Sequence, residues 1–278
     1  MRTTRVVVLA AASALALAAC APVDETTEET GDGTTGGYVT EGTLTVATSD
    51  PAYEPWVVGD DPASGEGFEA AVAYAVADRL GFAAEDVEWV TATFDQIIAP
   101  GAKDFDLAIN QVSISDERRE NLDFSSSYYD TAQAVVTLEG SPVAGATTIA
   151  ELRGARIGAM VGTTSLDVVT ETVAPTTAVA TFNDNDQVKQ ALVAGLVDAI
   201  VVDLPTALYI TAAELDGGVL VGQLPAGDDP DQLGLVLDKD SPLTDEVTAA
   251  VDALREDGTL AALEARWLTD AAGAPVLG

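Results

Sequence analysis

The sequence contains no histidine and only one cysteine, Cys20, among its 278 residues. The absence of histidine excludes Ser-His-Asp and Cys-His catalytic arrangements and histidine-ligated zinc sites. A single cysteine excludes an intramolecular disulfide and a cysteine-based metal cluster. The spacing of an EF-hand calcium loop is missing as well. The sequence therefore predicts neither a metal site nor a cofactor.

Positive charge is scarce: 12 lysines and arginines stand against 46 aspartates and glutamates, which gives a net charge of −34. A field of this sign repels nucleic acid and anionic lipid, so we expect no nucleic-acid partner. We interpret the excess of acid as a highly solvated surface suited to solubility or a salty medium, rather than as a functional patch.

The chain begins with a short apolar run, Val6–Ala19, preceded by Arg2 and Arg5 and followed by Cys20. The run is too short to cross a bilayer stably, and the arrangement of residues 1–19 predicts an export signal. The Leu-Ala-Ala-Cys sequence that ends at Cys20 has the pattern of a bacterial lipoprotein processing site. We expect Cys20 to be lipidated and to hold the protein on the outer face of the cytoplasmic membrane; an ordinary secretory peptide is the alternative.

Residues 20–40 are rich in threonine and glycine and carry acidic but no basic side chains. Such a segment is too polar to bury a core, and we predict a disordered acidic tether. As a random coil, it would span on the order of 25 Å.

Beyond Thr43, short apolar runs alternate with helical patterns, which is typical of an α/β protein with parallel sheets. Apolar residues recur at helical spacing from Phe68 to Leu80, and Gly81 follows as a stop signal. Helix starts are predicted at Asp184, which can form a capping pair with Gln187, and at Ser241-Pro242. The predicted strands are Thr43–Thr48, Val87–Thr91, Phe105–Asn110, Gln133–Leu138, Arg156–Val161, Val179–Phe182 and Asp198–Asp203.

The segment from Gln111 to Arg118, Gln-Val-Ser-Ile-Ser-Asp-Glu-Arg, brings hydroxyls, backbone amides and one arginine together after a predicted strand. A guanidinium matches a planar carboxylate with two parallel N–H donors, and Ser113 adds a hydroxyl beside it. This combination favours a site for a small carboxylate. The alternative is that Arg118 is a surface residue at a helix start, next to Arg119.

Two later segments add polar groups that can bind an ammonium group or an anion. Asp203 ends a predicted strand at the edge where α/β proteins place ligand groups, and its carboxylate suits an ammonium group. It could instead cap the helix that begins at Leu204-Pro205, and both roles can coexist. Residues 162–165, Gly-Thr-Thr-Ser, lie between a predicted strand and a predicted helix, where amides and hydroxyls can hold an anion.

The ordered set formed by Asp50, Tyr53, the segment 111–118, the segment 162–165 and Asp203 resembles the extracellular solute-binding proteins of polar amino-acid ABC importers, bacterial family 3. The resemblance covers roughly residues 42–268. It implies a two-lobed α/β fold of the type II periplasmic-binding-protein kind, in which each lobe is a mostly parallel sheet flanked by helices. Two hinge strands are expected to join the lobes.

The resemblance also implies a division of the chain. Lobe one is expected to comprise residues 41–136 and 231–270, and lobe two residues 137–230, with a C-terminal tail at 271–278. Glycine- and proline-rich breaks at 140–145 and 227–231 lie near these limits.

By the same resemblance, ligand-binding residues are carried over position by position. Asp50 and the aromatic side chains of Tyr53, Trp56 and Phe94 favour a cationic or amide side chain on the ligand. The three aromatic residues could also be ordinary core residues. Gln111 and Met160 depart from the residues that relatives carry there, and Gln111 could either donate to the ligand or crowd the pocket. The expected set is Asp50, Tyr53, Trp56, Phe94, Gln111, Ser113, Arg118, Met160, Gly162, Thr163, Thr164, Ser165 and Asp203.

The implied function is capture of a free polar or basic L-amino acid for delivery to an ABC permease, by a monomer anchored through lipid. We expect arginine, lysine, histidine or glutamine to bind ahead of glutamate and aspartate, and we expect no catalysis. Two alternatives remain open. The same scaffold can host a lyase or hydrolase that uses a cleft carboxylate, or it can serve as a ligand-sensing receptor domain.

Overall fold

The computed structural model describes residues 37–225, 230–268 and 273–278. The predicted export signal, Cys20 and the tether as far as residue 36 lie outside the described residues. The strands are β1 Leu44–Thr48, β2 Val87–Thr91, β3 Leu107–Ala108, β4 Leu122–Thr131, β5 Gln133–Leu138, β6 Ile157–Met160, β7 Ala180–Phe182, β8 Ala199–Asp203, β9 Gly218–Gln223 and β10 Asp231–Asp238. The α-helices are α1 Phe68–Leu80, α2 Phe94–Ile98, α3 Asp116–Arg119, α4 Ile149–Leu152, α5 Thr164–Val168, α6 Asn185–Val193, α7 Leu204–Tyr209, α8 Thr244–Glu256 and α9 Thr259–Trp267. Within the described ranges, no helix combines the length and the apolar character that a bilayer span requires.

The strands form two five-stranded sheets with the same internal plan. Their orders are β2-β1-β3-β10-β4 and β7-β6-β8-β5-β9. In each sheet the first three strands run parallel, and the fourth runs antiparallel to both of its neighbours. The predicted two-lobed α/β fold is confirmed, with lobe one built on the first sheet and lobe two on the second. The sheets are mixed, however, where the sequence predicted mostly parallel ones.

The antiparallel strands arise where the chain passes between the lobes. The edge strand β4 ends at Thr131, and β5 starts at Gln133 as the fourth strand of the other sheet; β9 and β10 repeat this exchange in the opposite direction. Both passages are shorter than the dozen or so residues that a helical crossover between parallel strands requires. All of β5 pairs within lobe two, so the first passage lies at Ala132 rather than at the predicted limit 136/137. The break at 140–145 follows β5 as a turn, and the other predicted limits stay predictions.

Lobe one is built around the fully buried strand β1 and the helix α1. Phe68, Val72 and Val76 of α1 are buried at helical spacing, as the sequence predicted. Burial of each such side chain stabilises the fold by roughly 1.5–3 kcal/mol. The start of α1 requires glycine, because Gly67 has a φ of +107° and a Cβ atom there would lie 2.4 Å from the carbonyl oxygen of Trp56.

Lobe two carries α6 against its sheet, and the predicted cap of this helix is confirmed. The Asp184 carboxylate accepts a hydrogen bond from the backbone N–H of Gln187 at 2.7 Å. Val188 and Leu192 are buried on the inner face of the helix. The cap satisfies one of the free N–H groups at the helix start and is worth roughly 1 kcal/mol. It also fixes where the segment before α6 meets the gap between the lobes.

The last residues of the chain pack on lobe two. Leu277 donates its backbone N–H to Gln223 at 2.9 Å, and the carbonyl oxygen of Gly278 accepts from Ile149 at 3.0 Å. The Leu277 side chain is 1% exposed, in a cluster with residues of β6 and β8. The sequence assigned residues 271–278 to neither lobe, because a single leucine near the end of a chain gives no periodic signal.

Leu277→Ala should lower the free energy of unfolding by at least about 2 kcal/mol, the lower end for a leucine removed from a core. Denaturant unfolding followed by circular dichroism measures the change. Val276→Ala is the matched control, since Val276 is 62% exposed and should change stability little. Equal effects of the two substitutions would show that the tail does not depend on the Leu277 contact.

Candidate functional site

A cavity of about 230 Å³ lies between the two lobes. It is bordered by the carboxyl ends of all the parallel strands, β1, β2 and β3 in lobe one and β6, β7 and β8 in lobe two. This is the edge where α/β sheets place ligand sites, because each strand delivers its following residues to the same gap. The lining residues are Ser49, Asp50, Pro51, Tyr53, Thr93, Phe94, Asp95, Asn110, Gln111, Ser113, Arg118, Met160, Thr163, Thr164, Ser165, Asn183, Asp184, Asn185, Val202 and Asp203.

Arg118 reaches the cavity from the short helix α3 and contacts both lobes. One terminal nitrogen donates to the carbonyl oxygen of Ser113 at 2.6 Å, and the other donates to that of Gly162 at 2.9 Å. The guanidinium also lies 5.6 Å from the centre of the Phe94 ring. A guanidinium has five N–H donors, so these two bonds leave donors for another acceptor. The alternative of an Arg118 side chain on the outer surface is therefore wrong.

Hydroxyl groups from both lobes lie beside this arginine. Ser113 Oγ and Thr164 Oγ1 are 3.1 Å apart, and Thr164 also donates to the Asp231 carboxylate at 2.7 Å. Thr163 caps the start of α5 by accepting from the backbone N–H of Leu166 at 3.3 Å. The segment that the sequence singled out in lobe two thus faces the segment singled out in lobe one.

Gln133, at the first passage between the lobes, organises the carboxylates of the site. This side chain is only 3% exposed. Its amide nitrogen donates to Asp203 at 2.8 Å and to Asp231 at 2.9 Å, while its oxygen accepts from the hydroxyl of Ser165 at 2.5 Å. Its polar atoms are therefore satisfied, and they hold two acidic side chains in fixed positions.

The carboxyl group of Asp203 holds its proton more strongly than an ordinary aspartate does. Burial, with the nearby charge of Asp231, raises the pKa of Asp203 to about 8, while the hydrogen bond from Gln133 acts in the opposite direction. Asp203 precedes α7, but its side chain makes no capping hydrogen bond. The capping alternative for its side chain is therefore wrong, and the carboxyl group is directed to the cavity instead.

The cavity is also acidic and aromatic. Asp50, Asp95 and Asp184 line it together with the rings of Tyr53 and Phe94. Among the described residues that line the cavity, Arg118 is the only cation. Any second positive charge in the cavity must therefore come from a bound molecule.

The structure brings together all but two of the predicted site residues. Gly162 does not line the cavity but supplies the carbonyl oxygen that Arg118 contacts. Trp56 is fully buried, packs against Phe68 and Tyr129, and donates its indole N–H to Thr206 of α7 at 2.8 Å. The core alternative thus applies to Trp56, whereas Tyr53 and Phe94 do line the cavity. Trp56 joins the two lobes instead.

Apart from Phe94, the lining residues that follow β2 and β7 were not predicted from the sequence, and neither were several others around the cavity. The signal was present, because each lies within a few residues of the carboxyl end of a parallel strand. Asp184 was predicted only as a helix cap, whereas in the structure it both caps α6 and lines the cavity. The missed lining residues are Ser49, Pro51, Thr93, Asp95, Asn110, Asn183, Asp184, Asn185 and Val202.

The fold and the site define a two-lobed binding protein with its cavity between the lobes. Residues 44–270 match the model of the bacterial extracellular solute-binding proteins, family 3, and the chain belongs to this family. The L-cystine-binding protein TcyJ of Escherichia coli strain K12 is 30% identical over 231 residues, which cover 81% of this chain and 82% of that protein.

Two solved structures extend the likeness to the fold. An ancestral arginine-binding protein bound to arginine has a TM-score of 0.68 at 29% identity and covers 82% of this chain and 99% of its own. The ancestral amino acid-binding protein AncCDT-1, a precursor of cyclohexadienyl dehydratase, has a TM-score of 0.67 at 28% identity and covers 82% and 96%. The family resemblance inferred from the sequence is confirmed.

Asp203→Asn should make the ligand-free protein more stable than wild type at pH 8, with an advantage that disappears toward pH 4. Between these values the unfolded carboxyl group has lost its proton while the folded one, with a pKa of about 8, retains it. Wild-type stability therefore falls as the pH rises through this range, and the amide removes the effect. We expect a gain of roughly 2 °C or more in melting temperature at pH 8.

Melting curves at both pH values measure this difference. Asp95→Asn is the control, since Asp95 lines the same cavity with an exposed carboxylate. A wild type that melts above the Asp203→Asn variant at pH 8 would contradict the assigned proton affinity.

Proposed function

We propose that this protein is the substrate-binding component of an ABC importer and that it captures a free polar or basic L-amino acid between its lobes. One observation carries the proposal. Arg118 of lobe one and Asp203 of lobe two border the same cavity, close enough for Arg118 to oppose the rise in the pKa of Asp203. A fixed cation and a fixed acid across a cleft complement the two charges of an amino acid.

The α-carboxylate of the ligand binds to Arg118. Two guanidinium donors already hold backbone carbonyls, which fixes the plane of the group and leaves the other donors for the ligand. The hydroxyls of Ser113 and Thr164 lie at the same place and complete the carboxylate site. Because these groups come from both lobes, the site is complete only when the lobes are closed.

The α-ammonium of the ligand binds to Asp203. In the ligand-free protein at neutral pH this carboxyl group largely retains its proton, since its pKa is about 8. An ammonium group supplies the positive charge that the buried acid lacks, so binding favours the ionised form. Ligand capture near pH 7 therefore releases a proton from Asp203 to solvent.

The acidic lining of the cavity selects the ligand side chain. Asp50, Asp95 and Asp184 attract a cation, and the rings of Tyr53 and Phe94 offer faces on which an extended side chain can lie. A second carboxylate would enter the cavity without a cationic partner, because Arg118, the only cation among the described lining residues, holds the first one. The cost is several kcal/mol. Arginine, lysine, histidine and glutamine therefore fit better than glutamate, aspartate or cystine.

Export and anchoring complete the proposed role. A protein of this family serves a permease from outside the cell membrane. The acidic chain acts there as a monomer, and a lipid on Cys20 anchors it to the membrane. The support is the sequence pattern that ends at Cys20.

A lyase or hydrolase is the second candidate, because a cleft carboxyl group with a pKa of about 8 is suited to act as a general acid. We nevertheless propose binding without turnover. Incubation of stoichiometric protein with each amino acid, followed by NMR of the recovered solute, distinguishes the two. A binding protein returns the solute unchanged, whereas an enzyme depletes it.

Calorimetric titration with the common L-amino acids and cystine tests the proposed ligand class. The protein is first unfolded and refolded to remove any copurified solute. We expect arginine, lysine, histidine or glutamine to bind at least tenfold more tightly than glutamate, aspartate and cystine. Absence of heat with every member would overturn the proposed function, and tightest binding of glutamate would overturn the role of the acidic lining.

Arg118→Ala should weaken arginine binding at least tenfold, because hydrogen bonds to charged groups contribute about 1.5–3 kcal/mol. Agmatine, which is arginine without its carboxylate, should bind weakly to wild type and lose little further affinity in the variant. Arg119→Ala is the matched control, since Arg119 lies over the Phe124 ring, away from the cavity. An equal loss for arginine and agmatine would show that Arg118 does not hold the carboxylate.

A further inference from the structure

Glu69 is a carboxylate without solvent contact, and its hydrogen bonds come from two residues. It lies in the first turn of α1 and is 0% exposed. One carboxylate oxygen accepts from the backbone N–H of Gln111 at 2.7 Å and from the hydroxyl of Tyr128. The other oxygen accepts from the side-chain amide of Gln111. Burial raises the pKa of Glu69 to about 7, against the effect of these bonds.

Gln111 is in a backbone conformation that its residue type disfavours. Its φ is +49°, in the left-handed region, which costs a residue with a Cβ atom roughly 1–2 kcal/mol. Glu69 holds both the backbone and the side-chain donor of this residue, so the cost is offset by charge-assisted hydrogen bonds. The two hydrogen bonds from Gln111 to Glu69 thus specify the turn at Gln111.

The turn at Gln111 determines where the carboxylate site lies. Gln111 lines the cavity, and two residues further on Ser113 gives its hydroxyl to the contact with Thr164 and its carbonyl oxygen to Arg118. A change in the backbone at Gln111 would therefore redirect Ser113 and, through it, the guanidinium. Small displacements of such groups lower affinity strongly, because the ligand contacts are directional.

We propose that Glu69 is a positioning residue for ligand binding, which acts from outside the cavity by holding Gln111 in its left-handed conformation. The inference rests on the proposed function, because it concerns the residues assigned to the ligand carboxylate. The sequence alone left open whether Gln111 donates to the ligand or crowds the pocket. The side-chain amide of Gln111 is directed at Glu69, so its role is to fix the turn rather than to donate to the ligand.

Calorimetry with L-arginine as the probe tests this role in variants of residues 69 and 111. Glu69→Leu leaves the three donors without an acceptor and should weaken binding at least tenfold. Glu69→Gln retains an acceptor for the backbone N–H, and the two side-chain amides can pair, so it should bind within about threefold of wild type. The exposed Glu66 gives the matched control, Glu66→Gln, with unchanged affinity.

The double variant Glu69→Leu with Gln111→Gly separates positioning from general stability. Glycine adopts a positive φ without strain and has no side-chain donor, so the double variant should bind at least threefold more tightly than Glu69→Leu alone. A general loss of stability would lower the melting temperature without this recovery. The inference is overturned if Glu69→Leu binds within twofold of wild type, or if the double variant binds no better than Glu69→Leu.

A second comparison keeps Glu69 intact, in case Glu69→Leu does not fold. Gln111→Ala retains the strained backbone and should bind at least threefold more weakly than Gln111→Gly. Equal affinities would overturn the inference while leaving the proposed function untouched. A wild-type protein that binds no amino acid overturns the proposed function, and the inference with it.

Discussion

A single guanidinium among several carboxylates is the interaction on which the cleft depends. Arg118 contacts a carbonyl oxygen of lobe one, at Ser113, and one of lobe two, at Gly162. It is also the only cation among the described lining residues, and acids face it from both sides. The group therefore has two tasks, since it joins the lobes and it balances negative charge that would otherwise stay unpaired.

Buried polar residues, some at the junction of the lobes and some within lobe one, hold the charged groups of this arrangement in place. Gln133 satisfies Asp203 and Asp231, and Glu69 satisfies Gln111 and Tyr128. Each acidic side chain is held by donors that are themselves largely buried, which keeps a charged site rigid without solvent. An apolar junction would be more stable, but it would present nothing to a zwitterion. The cleft thus follows the common pattern in which a functional site lowers the stability of its own fold.

Much of the fold could be predicted because local signals agreed with one another. For α1, the spacing of the apolar residues and the stop signal at Gly81 both indicated the same helix. For α6, the cap at Asp184 and the apolar Val188 did so as well. Strand β4 escaped prediction, since its Ser-Ser-Ser-Tyr-Tyr core lacks an aliphatic run even though most of it is buried. Strands β9 and β10 were missed as well, next to segments rich in glycine and aspartate.

The site was predictable to the extent that its residues follow strands. Arg118, Ser113 and Asp203 could be found in that way, whereas Trp56 could not be placed from its sequence neighbours alone. Its aromatic ring suits a cavity wall as well as a core, and only the contact with Thr206, far along the chain, decides between them. Glu69 gave no signal, because an acidic residue in the first turn of a helix is ordinary. Its distinction lies in complete burial, which depends on β4 and on the turn after β3.

The order of the strands along the chain has a consequence for synthesis on the ribosome. The first sheet lacks its fourth strand until β10 has been translated, whereas every strand of the second sheet lies between residues 133 and 223. The inserted lobe can therefore assemble while its host is still incomplete, which reverses the usual order from the N-terminus. Its core also contains Leu277, which follows β10 in the chain. The lobe whose strands are translated together thus still depends on a residue that is translated after the last strand of the other lobe.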